Sequence, residues 1–411
     1  MKKSKNAIQK KFIRLFGFIL ASAVAVFNFT DDMCAVRALP EVVFIERGTP
    51  SPIFENFRTS SRAVAAGSGM DETLSARRIT YRLFDLIELA RVYVYESDRT
   101  EYLPCGNAVG ISIRTDGVAV VGFGDIITSG GKSVCPAREA GVKAGDIIKS
   151  VNGQKVLTSA KLREALDIDK ENTRITLERE GRTVELSISP AVDGAGRALI
   201  GLWVRDSTIG IGTLSFVSKD GLMTAALGHA VVDADTGKLL PVHDGEMVKA
   251  EIIGVSKGSA GRPGELKGTF TSDNERIGSI EVNTELGVFG RFDEGGALDI
   301  DADAFIPIAF PNEVKEGGAV ILAQVGSGPV EEYSCKILRT VKQNKPAQKG
   351  LVIKITDKRL IEATGGIVQG MSGSPIIQDG KLVGVITHVF VNDSLKGYGI
   401  YAYWMKELMN G

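Results

Sequence analysis

From about residue 191 onward, short apolar runs alternate with Gly and Asp turns, among them ALIGLWVRD, IGIGTLSFV, GLMTAALGHAVV, MVKAEIIGV, GVFGRF, AVILAQV, GLVIKIT and KLVGVITHVFV. About a dozen such runs fall in roughly 220 residues, with little helical periodicity before the closing YWMKELMN. Short strands joined by tight turns leave unpaired edges that closure or sheet stacking must cover, so this half reads as β-barrels or a sandwich pair.

Between about 100 and 190 the texture changes to NAVGISIR, DGVAVVGF, REAGVKAGDIIKSVNGQKV, TSAKLREAL and NTRITLEREGRTVELSI. The NG doublet predicts a tight hairpin, the Thr and Ser of TSAKLREAL cap an amphipathic helix, and EREGR predicts a second hairpin. This stretch resembles a PDZ domain, most strongly at AGVKAGDIIKSVNGQKV. The resemblance implies that an extended peptide adds as a strand beside the helix, with backbone N–H groups of a Gly-containing loop receiving its carboxylate. The matching loop is CGNAVGI, which assigns peptide binding to Gly106, Asn107, Ala108, Val109 and Gly110. Asn107 and Ala108 depart from the usual form of that loop.

The first fourteen residues, MKKSKNAIQKKFIR, carry six Lys or Arg and no acid, and thirteen uncharged residues from Leu15 to Phe27 follow. That is a basic flank and an apolar core, so residues 1–30 read as a signal peptide or membrane anchor and the remainder as exported. Residues 31–99 read as a connector and N-terminal region. RGTPSPIF and RTSSRAVAAGSGMDE lack a sustained apolar period and invite proteolysis, while SARRITYRLFDLIELARVYVYES has apolar spacings of three and four and predicts a helix. The expected organisation is then a PDZ domain over 100–190 and a β-rich domain over 191–411.

With 49 basic and 50 acidic residues among 411, the formal charge of -1 gives no electrostatic reason to bind nucleic acid or an anionic surface. Cys34, Cys105, Cys135 and Cys335 lack CxxC spacing, so neither a zinc knuckle nor a dithiol redox site is indicated, and no metal or cofactor is implied. Export would permit a Cys105–Cys135 disulfide, but free, partly buried thiols are the preferred reading.

Acyl transfer needs an exposed serine hydroxyl, a base, an orienting acid, and backbone donors aimed at the developing oxyanion. GMSGSP resembles the GDSGGP turn of chymotrypsin-like peptidases, with Ser372 in the nucleophile's place, Ser374 the lesser candidate, and the amides of Gly370 and Ser372 as the donor pair. Met371 stands where trypsin-like enzymes carry the acid that pairs with a freed N-terminus, so activation by that ion pair is excluded. His229, His243 and His388 are the only histidines. His229 in ALGHA precedes the serine in the order of that class, His243 reads as a polar loop residue, and His388 reads as a packed strand histidine. Asp357 and Asp293 both remain open as the orienting acid on spacing alone.

Together, ALGHAVVDADTG, ITDKRLIEATGGIVQGMSGSPIIQDGKLVGVITHVFVND and GYGIY, behind a PDZ module and an export segment, resemble the SpoIVB family of stage IV sporulation serine peptidases. The likeness covers about 100 to 411. It implies a mainly β chain with a PDZ domain followed by a chymotrypsin-like double β-barrel, and a triad of His229, Asp357 and Ser372. It further implies a signalling protease exported from the forespore, anchored in the membrane through its N-terminal segment until processed. Its protein substrates would be its own N-terminal region and a membrane-bound regulator of an intramembrane protease that processes a sigma factor, with a peptide bound by the PDZ module controlling both cleavages. Two alternatives stand beside it: a quality-control protease of the HtrA kind, against which the domain order argues, and a non-catalytic secreted PDZ scaffold.

Overall fold

Alternation of apolar and polar residues, not helical spacing, governs the chain from Ala76 to Ser97. In the computed structural model, which describes residues 17–18, 22, 36, 39–49, 58–64, 76–83, 87–168, 172–269, 275–293, 298, 301 and 303–409, four strands form one sheet in the order β1-β4-β3-β2. They are β1 (Val42–Glu46), β2 (Arg58–Val64), β3 (Ala76–Leu83) and β4 (Ile87–Ser97). The helix expected after Ser75 is therefore a hairpin. Ile79 lies opposite Val92, and Ile79, Tyr81, Val92 and Val94 bury one face. β-branched and aromatic side chains at every second position fit a pleated, half-buried surface, and this overrides the coincident spacing of three and four. The sheet belongs to a unit spanning residues 1–99, and the expected connector supplies two of its strands. Most of the export segment and Cys34 lie outside the described residues, among which no helix is long and apolar enough to cross a membrane.

The second unit, 100–411, is mainly β. Its first part contains β5 (Glu101–Pro104), β6 (Ala108–Phe123), β7 (Ile147–Val151), β8 (Thr173–Arg179), β9 (Arg182–Ile188), β10 (Leu202–Ser218), β11 (Met223–Ala226), β12 (Val242–Lys249), β13 (Arg276–Ser279) and β14 (Gly287–Arg291). Two of these are unusually long, β6 with 16 residues and β10 with 17. They run antiparallel, Ala108 to Arg114 against Thr213 to Ser207 and then Ala119 to Phe123 against Arg205 to Leu202. Their first shared stretch joins β11, β14, β13 and β12, and a bridge between Gly278 and Phe292 returns that sheet on itself as a barrel. Their second stretch joins β7, β8 and β9 with the helices α1 (Pro136–Glu139) and α2 (Ser159–Ile168) as the PDZ module. Its core holds Val118, Val120, Ile148, Leu162, Ile175 and Leu177. The two predicted hairpins form here, with left-handed turns at Asn152–Gly153 and Glu180–Gly181.

The PDZ module is thus an insertion between two strands of the first barrel. Residues 101–115, expected inside it, belong to the barrel instead. The chain continues into a closed second barrel of β15 (Gly317–Ala323), β16 (Glu331–Thr340), β17 (Leu351–Ile355), β18 (Pro375–Gln378), β19 (Lys381–Phe390) and β20 (Asp393–Tyr401), ordered β15-β16-β17-β20-β19-β18. The helix α3 (Lys358–Thr364) leads towards the GMSGSP turn, and α4 (Ala402–Met409) closes the chain. Cys105, Cys135 and Cys335 are free thiols, and burial pushes those of Cys105 and Cys335 up to about 12.

Candidate active site

The GMSGSP turn precedes β18 and meets the first barrel edge-on. Ser372 is half-buried, and its Oγ donates to the Thr387 carbonyl at 2.7 Å. Ser374 is fully buried and its hydroxyl has no partner among the described residues, which removes it from contact with a substrate. Gly373 has φ +100, and a Cβ there would lie 2.2 Å from the Thr213 carbonyl oxygen and 2.7 Å from Leu227 N. The glycine after the serine therefore answers a close approach of backbone from the other barrel. The amides of Gly370 and Ser372 have no acceptor among the described residues, whereas Met371 N between them donates to Val368 O at 3.1 Å.

His229 enters from β11 through two left-handed residues, Leu227 at φ +71 and Gly228 at φ +70. A left-handed leucine costs about 1–2 kcal/mol, so the surrounding packing holds this turn in place. Nδ1 of His229 lies 2.9 Å from the Ala230 carbonyl oxygen. A carbonyl only accepts, so Nδ1 carries the proton and Nε2 is the free acceptor. Burial pushes the imidazole below its ordinary value of 6.5, with the Ala230 bond opposing in part.

His229, Ser372, Gly370 and His388 line one cleft of about 410 Å³ between the barrels, and no Asp, Glu, Lys or Arg is among its lining residues. His388, expected as a packed strand histidine, is an exposed residue of β19 whose ring centroid lies 4.9 Å from that of His229. Desolvation, then the neighbouring His229 and Lys349, depress it to about 4, so it is neutral near pH 7. His243 lies in β12, 3.6 Å from Asp116, and does not line the cleft.

Asp357 is not brought to His229. Its carboxylate caps α3 through Arg359 N at 2.9 Å, accepts from Ser334 N at 3.2 Å, and pairs with the Arg359 guanidinium at 3.0 Å. Arg359, foremost, holds it down to about 2. An aspartate that opens a helix after a strand satisfies the capping rule, and here capping takes the side chain that the resemblance assigns to the triad. Asp293, the competitor on spacing, pairs with Arg276 at 3.4 Å.

The loop Gly106 to Gly110 does not serve as a carboxylate cradle. Gly106 N donates to Leu214 O at 2.9 Å, Ala108 N to the Gln324 side chain at 3.1 Å, and Val109 and Gly110 lie between β10 and β12. With these partners, the amides of Gly106, Ala108, Val109 and Gly110 have no capacity left for a peptide, and the Asn107 carbonyl is taken by Leu214 N. Among the described residues, no strand pairs the second edge of Leu202 to Asp206 on β10, and α2 lies beside it, its Ser159 N bonded to Asp206 Oδ2 at 2.6 Å. Two further residues escaped the sequence reading. Asn283 holds both backbone groups of Val231 at 2.9 and 2.8 Å, and Arg205 grips Asp233 and Asp235 at 2.5 and 2.9 Å, so both steady the loop that follows His229.

A two-barrel fold with a serine and a histidine lining one inter-barrel cleft, and a PDZ module spliced into the first barrel, defines the serine-peptidase class. Residues 196–406 match the model of the SpoIVB peptidase S55 family and residues 124–179 that of the PDZ domain. The chain belongs to the SpoIVB peptidase family. The probable periplasmic serine endoproteases DegP-like of Chlamydia trachomatis serovar D and Chlamydia muridarum are 32% and 31% identical to it, over 28% and 32% of this chain and 23% and 26% of theirs. The chain spans about a quarter of the length of these curated relatives. Among solved structures, the PDZ domain of the SdrC-like protein from Listeria monocytogenes is 21% identical, covering 22% of this chain and 87% of that one with a TM-score of 0.18. The active form of the Rv3671c protease from M. tuberculosis is 16% identical, covering 48% and 72% with a TM-score of 0.26.

Proposed function

We propose that the chain is an exported serine endopeptidase of sporulation signalling that cleaves its own N-terminal region and a membrane-bound regulatory protein in the space between the forespore membranes. The observation that carries the catalytic part is the sharing of one cleft by Ser372, His229 and the two unpaired amides of the serine's own turn. A rotation of Ser372 takes its hydroxyl from the Thr387 carbonyl towards His229 Nε2, which removes the proton as Oγ attacks the scissile carbonyl and returns it to the leaving amine. The Gly370 and Ser372 amides receive the oxyanion. The Ala230 carbonyl fixes the imidazole tautomer, the task that an aspartate performs in the common triad. A peptide adding to the open edge of Leu202 to Asp206 beside α2 would be the route by which the PDZ module selects its target.

N-terminal sequencing of the mature protein from wild type and Ser372→Ala tests this reading. Wild type is expected to be shortened beyond residue 30 and the variant to keep that segment, since loss of the nucleophile lowers the rate by roughly a million-fold. The same shortened N-terminus in both would overturn it. The likeness to DegP-like endoproteases favours a second reading, general degradation of unfolded protein, which hydrolysis of casein rising with temperature would select.

A further inference from the structure

The four peptide units from Gln369 to Gly373 contain eight backbone polar groups, and six of them are paired. Gln369 O accepts from Leu266 N at 2.9 Å, Met371 N donates to Val368 O at 3.1 Å, Met371 O accepts from Ser374 N at 3.0 Å, and Gly373 N donates to Ile386 O at 2.8 Å. The other two pairings come from one residue of the opposite barrel: Thr213 N donates to Ser372 O at 3.0 Å and Thr213 Oγ1 donates to Gly370 O at 2.7 Å. Among the described residues, the two groups left without a partner are the N–H groups of Gly370 and Ser372. Thr213 is buried at the inner end of the long β10 ladder, opposite Ala108, and its own carbonyl accepts from Leu227 N at 3.3 Å in the turn that delivers His229.

We infer that Thr213 is a positioning residue for the oxyanion-binding amides. Its hydroxyl is the only side-chain group in this set of bonds. The free N–H groups belong to the 369–370 and 371–372 peptide units, whose own carbonyls are held by Leu266 N and Ser374 N, and Thr213 holds the carbonyls of the 370–371 and 372–373 units that alternate with them. Pinning these intervening units fixes the Cα positions between which the two free N–H groups are set, and so keeps them aimed at the cleft. The inference rests on the reading of Ser372 and its amide pair given above.

The test is the second-order rate of labelling of the full chain by a fluorophosphonate, whose pentacoordinate transition state places an oxygen anion where the peptide oxyanion would lie. Thr213→Val removes the hydroxyl at nearly constant shape, and Thr213→Ser retains it. Valine is expected to slow labelling by about 10- to 100-fold, a reduced oxyanion-hole effect, and serine to restore it to within about threefold, with melting temperatures recorded alongside. If valine does not fold, Thr213→Cys, of similar size and with a weak S–H donor, takes its place in the comparison. Labelling of the valine variant at the wild-type rate, or equal slowing by valine and serine at equal stability, overturns the inference while leaving Ser372 as nucleophile. Failure of the wild type to label at Ser372 sinks the underlying reading instead.

Discussion

Replacing Gly373 by alanine probes the meeting of the two barrels at its tightest point. The added Cβ would stand 2.2 Å from the Thr213 carbonyl oxygen and 2.7 Å from Leu227 N, at φ +100. Both contacts are backbone, one held in the β6–β10 ladder and one in the histidine turn, so neither yields as a flexible side chain would. Comfortable non-bonded contact needs roughly 3.5 Å, which asks for a retreat of about 1 Å. The left-handed conformation adds about 1–2 kcal/mol and the overpacking about 1–3 kcal/mol, for a total of about 2–5 kcal/mol. A shift of about 1 Å at reacting groups costs on the order of 100-fold in rate. Urea denaturation and fluorophosphonate labelling of Gly373→Ala measure the two effects. Gly380→Ala is the control, because Gly380 has φ +72 with nothing within 4 Å of a Cβ, so it should lose about 1 kcal/mol and label normally. Labelling of Gly373→Ala within threefold of wild type would show that the barrels do not lock this turn.

Three further outcomes follow from the site. Because burial lowers His229 below 6.5, the acidic limb of the labelling rate should have its midpoint under 6.5, and a midpoint at 7 or above contradicts a buried, neutral base. The folded values of His229 and His388 are both depressed, so their contribution to stability is present above about 6.5 and is lost as pH falls towards 4; melting temperature should decline over that window. Asp357→Ala should destabilise the fold by about 1–2 kcal/mol through loss of the α3 cap, while Asp357→Asn, which still caps, should label near the wild-type rate. A hundredfold slower Asp357→Asn with unchanged melting would return this carboxylate to the catalytic machinery.

The strand texture of the second half, the hairpin turns of the PDZ module and the pairing of ALGHA with GMSGSP were legible because each is local: a period of two, a left-handed doublet, a glycine beside a serine. What escaped depends on partners distant in sequence. The Ala76 to Ser97 segment carries both periodicities, and only cross-strand pairing decides between them. The first half of β6 reads as PDZ because its continuous strand shows no compositional break where it passes from one module to the other. His388 sits at a strand position whose alternation names a face without saying what that face meets. Asp357 occupies a place that a helix cap and a catalytic acid would both choose. Thr213 carries no motif of its own, and its role exists only where the barrels touch.

The shared β6 and β10 strands give the inserted module an unusual mode of attachment. Arg114 and Ser207 are ladder partners, so the chain leaves the barrel and re-enters it at adjacent points. A turn of a few residues between those points would rebuild an ordinary hairpin and leave the barrel topologically whole. The PDZ module is therefore removable by internal excision but not by truncation. The attachment is also by two strands and not by a flexible tether, with the ladder interrupted where Thr115 to Val118 of β6 face Asp206 of β10. A peptide added to the outer end of β10, as proposed above, would therefore act on the same pair of strands whose inner end holds the carbonyls behind Ser372.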